Sequence, residues 1–254
     1  MAERKEIIEA LSAAFIKLPY ALAMWQGGAA AFERADEWSD LDLMLITEDG
    51  HEKEAMELAV TTLEKEFGID AQFEIDPPFW PDMVQTFFRL KNSSPFLLID
   101  FSILPVSAKN KFNETEIHGH APVLFDKKEI VKAAPVNRQE LNTMLKGRLA
   151  KQKKRFDIFS VMVDKEINRR KDIDAFIFYW SYTLLPLVEM LRIKHSPYHW
   201  NFGSRYLNED LPPAIATKLQ SFFFVSDLAT LTQRNNEARK WFKAATQEAE
   251  ESFQ

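Results

Sequence analysis

Apolar residues first fall into a period at the N-terminus. Ile7, Ile8, Leu11, Phe15 and Leu18 recur at close to helical spacing, which predicts an amphipathic helix over 3–18 stopped by Pro19. A short apolar run at 20–26 ends in Gly27-Gly28 and predicts a buried strand, with a short helix over 29–33 just past the glycines. Over 41–47 the apolar side chains occupy both parities, the pattern of a strand covered on both faces. Helical spacing returns over 51–67. Residues 69–75 predict a further strand, broken by Asp76-Pro77-Pro78. Residues 81–90 are assigned to a helix. The run FLLIDFSIL at 96–104 is the most strand-like in the chain and Pro105 closes it; 123–125 gives a last short strand.

Beyond Pro135 the pattern changes. No convincing strand follows residue 137. Helices are predicted over 137–170, 172–194, 213–227 and 228–251, with Pro186 kinking the second. The fold class expected is α+β: a mixed β-sheet with flanking helices over 1–135, then an all-α helical bundle over 136–254.

Composition narrows the function. The chain has 254 residues, 46% of them hydrophobic, and its 21 phenylalanines supply ample core. A net charge of −6 argues against nucleic acid as the main partner. The absence of cysteine excludes disulfides, thiolate metal sites and a cysteine nucleophile. The N-terminal helix carries charges every few residues, unlike a signal peptide, and no stretch approaches the roughly 18–20 apolar residues of a membrane span. The expected location is the cytoplasm.

The chemistry is concentrated in WQGGAAAFERADEWSDLDLMLI at 25–46. Asp40 and Asp42 stand two apart at the start of a strand and so share a face. Carboxylates that close repel unless a cation lies between them, and a hard ion such as Mg²⁺ commonly takes one or two carboxylates together with phosphate oxygens. The Gly27-Gly28 turn brings bare backbone near, the kind of turn that cradles phosphate. Asp100, isolated in LLIDFSIL, is costly to bury unless it faces a site, and is the candidate third carboxylate; Glu74 and Asp76 compete for that place. In the helical half, Arg192 and His199 fall near the spacing of a helical ribonuclease motif, against which Pro197 and the acidic balance both count.

The order Gln26-Gly27-Gly28, eleven residues to Ser39-Asp40-Leu41-Asp42-Leu43, then Ile99-Asp100-Phe101-Ser102-Ile103-Leu104-Pro105 and Val123-Leu124-Phe125-Asp126-Lys127, resembles the nucleotidyltransferase superfamily with the DNA polymerase β-like fold. Within it the chain is most similar to bacterial aminoglycoside adenylyltransferases. The resemblance covers about residues 20–130; the helical half is similar in character only. It departs at Gly28, where many members have Ser, and it lacks the common Arg two or three residues on, for which Arg34 is a stand-in. The resemblance implies an enzyme that moves a nucleoside monophosphate, AMP from ATP by default, to a hydroxyl of a small molecule. It implies Mg²⁺ held by Asp40 and Asp42 with Asp100 as metal ligand or base, and Gly27, Gly28 and Ser39 along the triphosphate. The first helix after the catalytic domain would contribute Lys146 or Arg148. An aminoglycoside-like antibiotic is the default acceptor. The alternative is a regulatory protein on the same fold that no longer transfers, or that modifies a protein.

Overall fold

A computed structural model, which describes residues 3–78 and 80–253, divides the chain into two units, Met1–Val136 and Asn137–Gln254. The first contains, in order, α1 (Arg4–Phe15), β1 (Ala21–Gln26), α2 (Gly28–Ala31), β2 (Leu41–Thr47), α3 (Glu52–Phe67), β3 (Ile69–Glu74), β4 (Val84–Leu90), β5 (Ile99–Pro105), α4 (Thr115–His118) and β6 (Val123–Asp126). The strands form one six-stranded sheet in the order β3-β4-β5-β2-β1-β6. β2 and β5 are parallel, and every other neighbouring pair is antiparallel. The sheet is therefore mixed, and α3 with the β3–β4 hairpin makes the long connection that a parallel pair needs.

Alternation gives this sheet two unlike faces. Leu41, Leu43 and Leu45 of β2 point the same way as Ile99, Phe101 and Ile103 of β5, with which they pair residue for residue. Their face packs on Ile7, Leu11 and Phe15 of α1 and on Ala55, Ala59 and Leu63 of α3, all fully or almost fully buried. Spacings of four residues put one side of each helix on the sheet. The opposite face has a smaller apolar cluster around Ala23, Trp25, Ile46, Met83 and Leu104. Asp42, Asp100, Ser102 and Gln85 share that second face, by the same register.

The helix expected over 81–90 is strand β4. Val84, Thr86, Phe88 and Leu90 alternate with Gln85, Phe87 and Arg89, a period of two that the adjacent phenylalanines disguise. The strand expected from 96 starts at Ile99, and the short helix expected over 29–33 is Gly28–Ala31.

The second unit is helical throughout its described residues: α5 (Arg138–Phe159), α6 (Val161–Asn168), α7 (Asp172–Tyr179), a π-helical turn (Trp180–Leu184), α8 (Leu185–His195), a 3₁₀ turn (Pro197–His199), α9 (Leu207–Asp210), α10 (Pro213–Gln220) and α11 (Leu228–Glu251). The single helix expected over 137–170 is two, divided at Ser160. The distortion expected at Pro186 is the π turn just before it. Proline brings no N–H to the preceding turn, and the helix widens there before resuming. The helix expected over 213–227 ends at Gln220, and Asp227 instead caps α11 by accepting from the Thr230 N–H at 2.7 Å.

Phe156 of α5 stacks on Phe242 of α11, centroids 3.7 Å apart. Arg192 of α8 is 0% exposed. Its guanidinium donates to Asp210 at 2.7 Å and to the carbonyls of His199, Gly203 and Arg205. His199 Nδ1 lies 3.1 Å from the same Asp210 carboxylate. The Arg192–His199 pair therefore organises the loop after α8 from within. No described helix is long and apolar enough to cross a membrane.

Candidate active site

The second sheet face gathers the acidic candidates by register. Asp42 and Asp100 are Cα partners on the two parallel strands, about 4.8 Å apart in the hydrogen-bonding direction, and their side chains project to the same side. Asp40, two residues before Asp42, stands at the exposed rim of that face. Its charge reaches Asp100, where it adds to the cost of ionising the carboxyl.

Glu74 is placed elsewhere. It pairs with Thr86, and Thr86 pairs with Phe101, so Glu74 is on the core side of the sheet, opposite Asp100. Asp76 lies beyond the end of β3 and is exposed.

The diglycine turn closes on Asp42. The Gly27 N–H donates to the Asp42 carbonyl at 3.0 Å. Gly28 has φ +53°, and a Cβ built on it would lie 1.8 Å from Asp42 Oδ2. Glycine is thus needed twice at position 28, for its backbone conformation and for the space that the carboxylate fills. Any side chain at position 28 would require the Asp42 carboxylate to move.

Burial lifts the Asp100 carboxyl above the ordinary carboxylate range. Gln85 and Ser102 oppose that shift, and the nearby Asp40 reinforces it. Gln85 Nε2 donates to Oδ1 at 2.8 Å and lies 2.9 Å from Oδ2; Ser102 Oγ donates to Oδ1 at 3.2 Å. Gln85 is buried and sits on β4 opposite Ser102. Asp40 is likewise raised by burial, with the Arg4 guanidinium pulling the other way. Arg4 reaches from α1 to the Asp40 carbonyl at 2.9 Å and to the Ser39 carbonyl, and so holds the strand entry by its backbone.

Gln85 and Arg4 escape sequence reasoning. Neither lies near a motif in the chain, and only strand order and helix packing bring them in.

Ser39 is occupied locally. Its hydroxyl donates to Asp36 Oδ1 at 2.6 Å and accepts from the Asp36 N–H at 2.9 Å, which fixes the turn into β2. The two basic candidates belong to the helical unit. Arg148 donates from Nη2 to Glu189 Oε2 at 3.0 Å, and Gln152 donates to the same oxygen at 2.7 Å. Lys146 Nζ lies 5.9 Å from the centre of the Phe253 ring.

Among the described residues no three His, Cys, Asp or Glu side chains close into a protein-only metal cage. The oxygen donors of Asp40 and Asp42 suit instead a hard ion that brings most of its shell from phosphate and water.

No protein-family model matches the sequence, and no curated protein matches it. Among solved structures, the chain is similar to an aminoglycoside 6-adenyltransferase from Bacillus subtilis at 13% identity and TM-score 0.37, over 99% of this chain and 91% of that one. It is also similar to a chain of the GLD-2/RNP-8 complex at 12% identity and TM-score 0.31, over 89% of this chain and 61% of that one.

Proposed function

We propose that the N-terminal unit is a magnesium-dependent nucleotidyltransferase that moves a nucleoside monophosphate, AMP from ATP by default, to a hydroxyl of a small molecule in the cytoplasm. The observation that carries this reading is the row across the second sheet face, in which the diglycine turn, Asp42 and Asp100 are neighbours in register.

Mg²⁺ held by Asp40 and Asp42 would neutralise phosphate charge and make the α-phosphorus more electrophilic. Gly27 and Gly28 let the backbone come close to the triphosphate end. Arg4 fixes the entry to β2, and with it the two aspartates. Asp100, held by Gln85 and Ser102, accepts the proton of the attacking hydroxyl. The acceptor oxygen forms a bond to the α-phosphorus as the bond from that phosphorus to pyrophosphate breaks. An aminoglycoside-like antibiotic is the default acceptor, in keeping with the acidic balance of the chain.

Asp42→Asn removes a carboxylate charge at nearly constant volume. Pyrophosphate release from ATP with magnesium, measured over a panel of hydroxyl-bearing antibiotics and metabolites, should fall to background in this variant while its circular dichroism matches the wild type. Unchanged turnover would defeat the assignment.

A second reading, a regulatory protein that binds without transferring, is favoured by the missing hydroxyl at position 28. ATP titrations with magnesium and with EDTA separate the two, since the enzyme requires metal-dependent binding together with pyrophosphate release.

A further inference from the structure

Beyond Asp100 the row across the sheet continues into two aromatic side chains. Asp100 pairs with Phe87 on β4, and Phe87 pairs with Phe73 on β3. Directly opposed residues of antiparallel strands point the same way. The order along the second face is therefore the diglycine turn, Asp42, Asp100, Phe87, Phe73, one strand spacing of about 4.8 Å per step. Phe87 is half-buried, whereas Phe73, on an edge strand, is 67% exposed and lies outside both apolar clusters of the described residues. Arg89, on the same face, is paired: it donates from Nε to Asp70 Oδ2 at 2.7 Å. The two side chains that follow Asp100 in the row are flat and apolar.

In-line displacement gives this surface its occupant. The nucleophile must approach the α-phosphorus opposite the departing pyrophosphate. With the triphosphate end at the diglycine turn and the phosphorus near Asp40 and Asp42, the acceptor comes from the far side of Asp100, over β4 and β3. We infer that Phe87 and Phe73 form the acceptor platform, and that the acceptor is a hydroxylated six-membered ring laid with its apolar C–H face on these side chains and one hydroxyl at Asp100. This rests on the transfer reading above and narrows it. Recognition is by ring face, so a neutral ring is accepted as readily as a cationic one, and an open-chain polyol is not.

Saturation-transfer NMR tests this on the full chain with magnesium and a non-hydrolysable α,β-methylene ATP. The probes are methyl β-glucopyranoside, whose ring carries axial C–H groups on both faces, and sorbitol, its open-chain counterpart. The glucopyranoside should receive saturation at its ring protons and sorbitol should not. Phe73→Ala, at an exposed position, and Phe87→Leu, which keeps apolar bulk, should each weaken the glucopyranoside about threefold to tenfold, with the affinity for the ATP analogue unchanged.

The inference is overturned if the wild type does not bind the ring, if it prefers sorbitol, or if neither variant alters ring binding. It is equally overturned if the variants lose the ATP analogue instead, which would give the platform to the nucleobase. A wild type that binds the ring but never releases pyrophosphate would sink the transfer reading alone.

Discussion

Gly28→Ala tests the closest contact in the site. The added Cβ would lie 1.8 Å from Asp42 Oδ2, 2.5 Å from its Cγ and 3.2 Å from its Cβ, on a backbone with φ +53°. Two costs follow. An alanine in the left-handed region loses about 1–2 kcal/mol. Asp42 must also swing out of its rotamer, about 0.5–1.5 kcal/mol more. The single variant should therefore lose about 1.5–3.5 kcal/mol of stability. In an Asp42→Ala background the carboxylate is gone and only the Cβ contact remains, so the same glycine substitution should cost about 1–2 kcal/mol. A double-mutant cycle by urea unfolding at pH 7 should then return a coupling of about 1 kcal/mol between positions 28 and 42. On the transfer reading proposed above, pyrophosphate release should also fall about a hundredfold in Gly28→Ala, because a carboxylate displaced by an ångström from its working position loses its geometry. Equal stability costs in both backgrounds would refute the close packing of Asp42 on the turn.

Burial holds the Asp100 carboxyl above the ordinary range, so the folded state binds its proton more tightly than the unfolded chain does. Its favourable contribution is complete below the unfolded pKa and is lost as pH rises through the folded one. Asp100→Asn, which stays neutral and allows the Gln85 amide to turn its oxygen toward the new NH₂, should therefore unfold at higher urea than the wild type at pH 7, with the difference shrinking toward about pH 3–4; a pH-independent difference would contradict the burial argument. Arg192→Leu should cost about 3–5 kcal/mol, since it strands the buried Asp210 carboxylate. Urea unfolding measures that loss, and trypsin should cut the loop at Arg205 faster than in the wild type.

The elements most legible in the sequence are those whose apolar pattern matches the faces they bury. Ile7, Leu11 and Phe15 announced α1 because they pack on one surface, and the apolar run on both parities announced β2 because Leu41, Leu43 and Leu45 enter one cluster while Ile46, with Met44 packed beside it, enters the other. β4 was hidden because Phe87 and Phe88 are both large and apolar while facing opposite sides of the sheet. The helix boundary at Ser160 and the early end of α10 at Gln220 were hidden for another reason. Neither has a glycine, and helix ends set by tertiary packing leave little local trace. The two aspartates beside the glycines could be picked out because their spacing is local. Gln85 could not, since an amide between Val84 and Thr86 carries no signal until β4 is laid against β5.

Register also explains why one sheet can hold both a core and a chemical site. Shifting β5 by one residue against β2 would point Asp100 into the cluster of Leu43, Leu45 and Phe15 and bring Phe101 out beside Asp42. The apolar side chains of α1 and α3 make that slip prohibitively costly, because an ionised carboxylate would enter a region with no donor to meet it. The core face therefore sets where the acids stand, and the second face bears the cost of holding Asp100, whose side-chain hydrogen bonds among the described residues come from Gln85 and Ser102. The ordering Asp42, Asp100, Phe87 across three strands follows from hydrophobic packing on the reverse side of the sheet. Substitutions in α1, such as Phe15→Ala, should accordingly disturb the site by loosening this register even though Phe15 is on the far face.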